Sequence, residues 1–124
     1  MSNHKEALDF FGKVLIEQVR DESIEDWERI LGGKMKDEES QQLFNEVQSL
    51  HSEQLQLIMK LIPKVVDSTL HHFLWTLEQE EEVNIVITLE EENPINIREN
   101  SDGLAGELYT EDGWISRFSS KQKG

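Results

Sequence analysis

No cysteine occurs among the 124 residues. That excludes disulfides, thiolate catalysis and thiolate-ligated zinc, and it fits an intracellular protein. Long apolar runs are missing as well. The longest, LQLIMKLIPKVV (55–66), is interrupted by Lys60, Pro63 and Lys64, so it is too short and too charged to span a bilayer. The opening residues, MSNHKEALDF, lack a basic-then-apolar leader, and no signal peptide is expected. The signatures of common catalytic sites are absent too: there is no G-x-S-x-G, no phosphate-binding loop and no G-x-G-x-x-G. Gly32-Gly33 follows a helical pattern instead of preceding one, so it does not meet the geometry of a phosphate cradle. With 26 acidic residues, no carboxylate pair stands out as an acid–base couple, because such a pair needs two distinct environments. The expectation is a protein that is not an enzyme and uses no cofactor.

Basic residues are scarce in one region. Between Glu78 and Asp112 there are twelve acids and a single base, Arg98, a net −11 over 35 residues within a chain of net −14. The remaining residues are close to balanced. A field of this kind repels nucleic acid and anionic membrane and attracts basic partners or cations. A solubility role would give the same composition.

What is present reads as one domain, residues 1–124, which at this length can bury a core of its own. The first part, 1–79, has helical periodicity. Ala7, Leu8, Phe11, Val14, Leu15 and Val19 repeat at three and four. A second, short helix is expected from Ser23, with Ile24, Trp27, Ile30 and Leu31 on its apolar side and Gly32-Gly33 as a left-handed stop. A third helix begins near Asp37 and carries Leu43, Phe44, Val47 and Leu50. It either continues through His51 or breaks at Ser49–Ser52, where Ser52 offers a cap. Pro63 predicts an interruption or kink and the start of a helix over 63–79.

At Val83 the period changes to two. Val83, Ile85, Ile87 and Leu89 alternate with Asn84, Val86 and Thr88, which predicts a strand. Asn93-Pro94 makes a turn, and Ile95–Arg98 a short partner strand. The glutamate triplets on either side of the first strand read as gatekeepers against edge pairing. Two short helices follow, marked by Leu104/Leu108 and Trp114/Phe118, with Ser101 and Thr110 as caps. Residues 80–119 thus form an acidic hairpin plus short helices, and 120–124 a frayed tail. The fold class is α+β: a mostly helical core of four to five helices, then a small antiparallel β-hairpin and short C-terminal helices.

Three constellations bear on chemistry. ENSDG resembles part of a calcium loop, but with Gly103 at the sixth position Arg98 and Tyr109 fall where carboxylates are required. Asp67, His71 and Glu78 project to one side of the helix after Pro63, at about 0°, 40° and 20° on a helical wheel. They are the candidate set for a metal ion or proton handling, and the simpler alternative is a histidine satisfied at the rim of the core. Trp75 lies almost opposite the apolar face of that helix, which predicts packing on a second layer such as the hairpin, or a contact surface.

At DSTLHHFLWTLEQ (67–79) and SDGLAGELYTEDGWISRFS (101–119) the chain resembles small acidic bacterial proteins, among them immunity proteins that neutralise a cognate toxin. The resemblance implies a cytoplasmic bacterial protein with a binding role, and it carries over no functional residues. The leading expectation is a module that presents an acidic surface to a basic protein partner, in its sharpest form a toxin or nuclease that it occludes. Glu90, Glu91, Asp102, Glu107, Glu111 and Asp112 would steer the contact. Tyr109 and Trp114 would anchor it, although Trp114 could equally serve as a core plug. Two alternatives remain open: a metal-dependent enzyme or sensor using Asp67, His71 and Glu78, and a homo-oligomeric module associating through the hairpin edge or Trp75.

Overall fold

The computed structural model describes residues 3–90 and 93–121. It opens with one helical path in place of the two separate helices expected. The path consists of α1 (Asn3–Val14), a π-helical turn (Leu15–Arg20) and α2 (Asp21–Leu31). Val14, Arg20 and Asp21 all keep right-handed helical dihedrals, so nothing breaks at Ser23, which lies inside α2. A π-turn holds one more residue than an α-turn, and its effect is visible in the burial. Leu8, Leu15 and Ile16 face inward, and the next inward position is Arg20, five residues after Leu15. Val19, expected on the apolar stripe, is rotated outward and is 44% exposed.

Arg20 takes that place and is fully buried. Its Nε donates to Asp67 Oδ1 at 2.6 Å. Its Nη1 donates to Asp21 Oδ1 at 2.9 Å, Ser119 Oγ at 2.9 Å and the Lys121 carbonyl at 2.6 Å. Charge-assisted bonds on this scale are what a guanidinium requires to stay out of water. The same node orders residues expected to fray: the Ser120 N–H donates to Asp21 Oδ2 at 2.7 Å, and Lys121 pairs with Glu28 at 2.8 Å. The rest of the expected frayed tail, residues 122–124, lies outside the described residues.

Gly33, at φ +77°, ends α2 as the glycine pair predicts. Asp37 caps α3 (Glu38–Val47), accepting from the Ser40 N–H at 3.0 Å. The chain then breaks. His51 stands at the start of α4 (Ser52–Gln79), where its N–H donates to Gln54 Oε1 at 2.9 Å. The cap is therefore one residue earlier than Ser52. α4 does not stop at Pro63. It runs through it for 28 residues with the proline ring buried. A proline inside a helix forfeits one backbone bond, and here the helix continues past it.

The expected seven-residue strand shrinks to β1 (Val86–Ile87), paired antiparallel with β2 (Ile95–Asn96) in the register Val86 opposite Asn96 and Ile87 opposite Ile95. Ile97 N–H to the Ile85 carbonyl, 3.1 Å, extends it by one bond. Ile85 and Ile87 pack on the core as the alternation predicts, whereas Val83 stays half exposed. After β2 come 3-10 turns at Arg98–Asn100 and Ala105–Leu108, then α5 (Trp114–Phe118). Ser101 does not cap the second of these turns: its hydroxyl accepts from the Gly103 N–H at 3.1 Å. Thr110 does not cap α5, whose N-cap is Gly113.

The core joins α1, the π-turn, the second half of α4 and the C-terminal turns. Trp114 is its largest member and is fully buried. Phe11 meets it edge-on at 5.8 Å. Gly12 makes room for it: a β-carbon there would lie 2.3 Å from the indole. The indole N–H has no hydrogen-bond partner among the described residues.

Candidate binding groove

The acidic segment does not form one uniform face. Trp114 sits inside, so the contact-anchor role expected for it is corrected to a core role. The indole fills the space that Gly12 leaves on α1 and meets the Phe11 ring there, so it has no face to offer a partner. Glu91 lies outside the described residues. Glu90 and Glu111 are exposed, and neither borders the two grooves that hold Asp102, Glu107 and Asp112. Asp112 lines a neighbouring cleft of mixed charge with Lys5, Asp9, Arg117 and Glu107, the last of which borders both cavities.

Asp102 and Glu107 are brought together with residues of α4. They line a groove of about 550 Å³ with His71, Trp75 and Glu78, over a floor made of Gly103, Ala105 and Gly106. Each part of it has a local cause. The second half of α4 turns Leu70, Leu74 and Leu77 inward, which leaves His71, Trp75 and Glu78 on its flank at helical spacing. The 3-10 turn at Ala105–Leu108 is seated on that flank because Glu78 Oε1 accepts from the Ala105 N–H at 2.7 Å. Glu107 Oε2 accepts from the Ser101 hydroxyl at 2.7 Å, which closes the loop around Asp102. Trp75 is 50% exposed. It borders the groove beside the 3-10 turn and stays half open to solvent.

No lysine or arginine lines this groove. The one base of the acidic segment, Arg98, is turned elsewhere. Its guanidinium donates to the carbonyls of Leu77 and Glu80 at 2.7 Å each, to those of Glu81 and Val83 at 3.2 Å each, and to the Asn84 side chain. Arg98 thus satisfies the carbonyls at the C-terminus of α4 and in the loop beyond it, as a cation does at a helix C-terminus. It therefore supplies no counter-charge inside the groove; of the groove carboxylates, Glu107 also borders the neighbouring cleft and lies in the field of Arg117 there.

Tyr109, expected as an anchor, is half buried. Its hydroxyl lies 3.4 Å from His71 Nδ1. Burial pushes its phenol above the ordinary value, and the charge of Asp67 adds to the effect. The Asp67–His71–Glu78 set does not converge. The three share an azimuth, but Asp67 and Glu78 are eleven residues apart, roughly 16 Å along the axis. Each is engaged separately: Asp67 by Arg20, His71 beside Tyr109, and Glu78 by the Ala105 N–H. Among the described residues no group of three or more His, Asp or Glu side chains is placed to hold a metal ion. Sequence reasoning missed Arg20 and Arg98 as structural cations. It also separated Trp75 from Asp102 and Glu107, because only the docking of the 3-10 turn joins them.

No helix among the described residues is long and apolar enough to cross a membrane. Comparison with protein-family models, with curated proteins and with solved structures returned no match.

Proposed function

We propose that this chain is a small cytoplasmic binding module whose acidic groove takes a lysine or arginine side chain of a basic protein partner. The observation that carries the reading is Trp75: it is half exposed beside Glu78, Asp102 and Glu107, in a groove lined by no lysine or arginine. A cation over an exposed indole gains cation–π attraction, and nearby carboxylates add charge-assisted hydrogen bonds. The wider field of the acidic segment would steer the encounter, with a strong dependence on salt. The narrowest form of the proposal is occlusion of a basic toxin or nuclease in a bacterial cell, the role implied by the resemblance at 67–79 and 101–119.

The test is binding of an arginine-rich peptide followed by calorimetry at low and high salt. Trp75→Ala should weaken binding roughly 2- to 30-fold, the span that cation–π contacts of about 0.5–2 kcal/mol cover. Asp102→Lys should weaken it further. Glu38→Lys, the same charge change on α3 far from the groove, should leave most of the affinity in place. Equal losses for Asp102→Lys and Glu38→Lys, with none for Trp75→Ala, would reduce the interaction to bulk charge and end the proposal.

A further inference from the structure

The acidic groove has no lysine or arginine in its wall, but it does have a histidine. His71 is half-buried there, one helical turn before Trp75 and about two before Glu78 on α4. Histidine is the side chain that changes between neutral and cationic within pH 5 to 8. Its ring is held from one side. Nδ1 lies 3.4 Å from the Tyr109 hydroxyl, and the Tyr109 ring is tilted beside it with centroids 6.0 Å apart. A hydroxyl serves both protonation states, because it donates to a bare ring nitrogen and accepts from a protonated one. Proton uptake therefore needs no rearrangement on this side, and it places a cation in the wall of the groove.

The groups around the imidazole decide where that charge is felt. Burial pushes the Tyr109 phenol above its ordinary value, so it stays an uncharged hydroxyl and neutralises nothing. Asp67, one turn earlier on α4, is held by the Arg20 guanidinium of the π-turn at 2.6 and 3.3 Å, and its charge is already matched. His72 meets His71 edge-on at 5.5 Å and lies outside the groove wall; when protonated it carries the same sign. Glu78 on α4 and Asp102 and Glu107 beside the 3-10 turn share the groove with His71, and Glu107 also feels Arg117 from the neighbouring cleft. The counter-ions within reach of a protonated His71 are thus the same carboxylates that a lysine or arginine of a partner would use. Imidazolium and incoming cation compete for them and repel each other.

We infer that His71 gates the groove by pH: neutral, it leaves Trp75 and the carboxylates to a cationic side chain, and protonated, it turns that side chain away. The inference rests on the proposed function of the groove and names its regulation. Linkage fixes the sign. A bound cation disfavours the charged imidazole, so binding expels a proton, and affinity is full on the alkaline side and falls on acidification. An acetylated, arginine-rich peptide without histidine, titrated calorimetrically into the full chain at fixed ionic strength from about pH 8 to about pH 5.5, tests it in a window above the ordinary carboxylate range. The wild type should lose about fivefold in affinity across that window, the factor that two unit charges about 4 Å apart exchange in water. His71→Gln should flatten the profile, and His72→Gln should retain it. Wild-type titrations at about pH 6.5 in buffers of different ionisation heat should show proton release, a readout that needs no variant to fold. No binding at about pH 8 would end the groove reading and the gate with it. Binding there that is unchanged at about pH 5.5 would leave the groove reading standing and overturn the gate alone. A loss on acidification that survives His71→Gln, or that disappears with His72→Gln, would also overturn it, by assigning the proton to another group.

Discussion

Replacing Arg20 by methionine should be among the most damaging single changes this chain can undergo. The guanidinium is fully buried and bonded to Asp67, Asp21, Ser119 and the Lys121 carbonyl. Methionine keeps much of the volume and removes every one of those bonds. Asp67 and Asp21 then both lose the guanidinium that neutralises them, with side chains only 14% and 7% exposed. Removing one partner of a buried ion pair costs about 3–5 kcal/mol. For a chain of this length, at about 4 °C per kcal/mol, that lowers the melting temperature by roughly 12–20 °C. Urea unfolding at neutral pH, followed by circular dichroism and by the fluorescence of buried Trp114, measures the loss. Asp67→Asn supplies the second arm. If the two groups act as a pair, the double variant loses less than the sum of the singles. A loss under about 1 kcal/mol for Arg20→Met, or strict additivity, would refute the view that this node holds the two parts of the chain together.

Two further outcomes follow from the packing and charge. Gly12→Ala drives a methyl to 2.3 Å from the Trp114 indole and should cost about 1–3 kcal/mol by overpacking; a neutral result in the same urea assay would mean the indole is not seated against α1. Burial raises the Asp9 carboxyl, but the hydrogen bond and charge of Arg117, with Lys5 behind them, outweigh it and hold the carboxyl below its ordinary 3.8. Because the folded value is the lower one, this pairing stabilises the fold above that pH and is lost as pH falls through the folded value. The stability gap between wild type and Arg117→Met should therefore be full at neutral pH and narrow below pH 3.8, and a gap that stays constant on acidification would contradict the pairing.

Much of the fold was legible because it rests on local signals. The glycine pair at 32–33, the Asp37 cap, the alternation at Ile85 and Ile87 and the four-residue spacings of Leu104/Leu108 and Trp114/Phe118 each express a short-range rule. The failures come where a longer-range contact overrides such a rule. Val19 fits an α-helical stripe, but a π-turn shifts the phase, and an ion pair with Asp67, 47 residues away, takes the inward position. Pro63 signals a break in isolation, yet α4 continues past it. The strand is shorter than its alternation because its partner offers only two paired residues. The candidate site was half legible. The acidic segment was plain from composition. That Asp102 and Glu107 join Trp75, while Trp114 is withdrawn into the core, depends on how a 3-10 turn docks on α4. No periodicity encodes that docking.

The Arg20 node also has a kinetic meaning. Its partners are separated from it by 47, 99 and 101 residues, so it cannot assemble until loops of that size have closed, well after the local helices have formed. Bonds made on the native side of the barrier slow escape from the native state more than they speed arrival. The buried arginine therefore governs how long a folded molecule lasts, while the helices that deliver it govern how fast it is made.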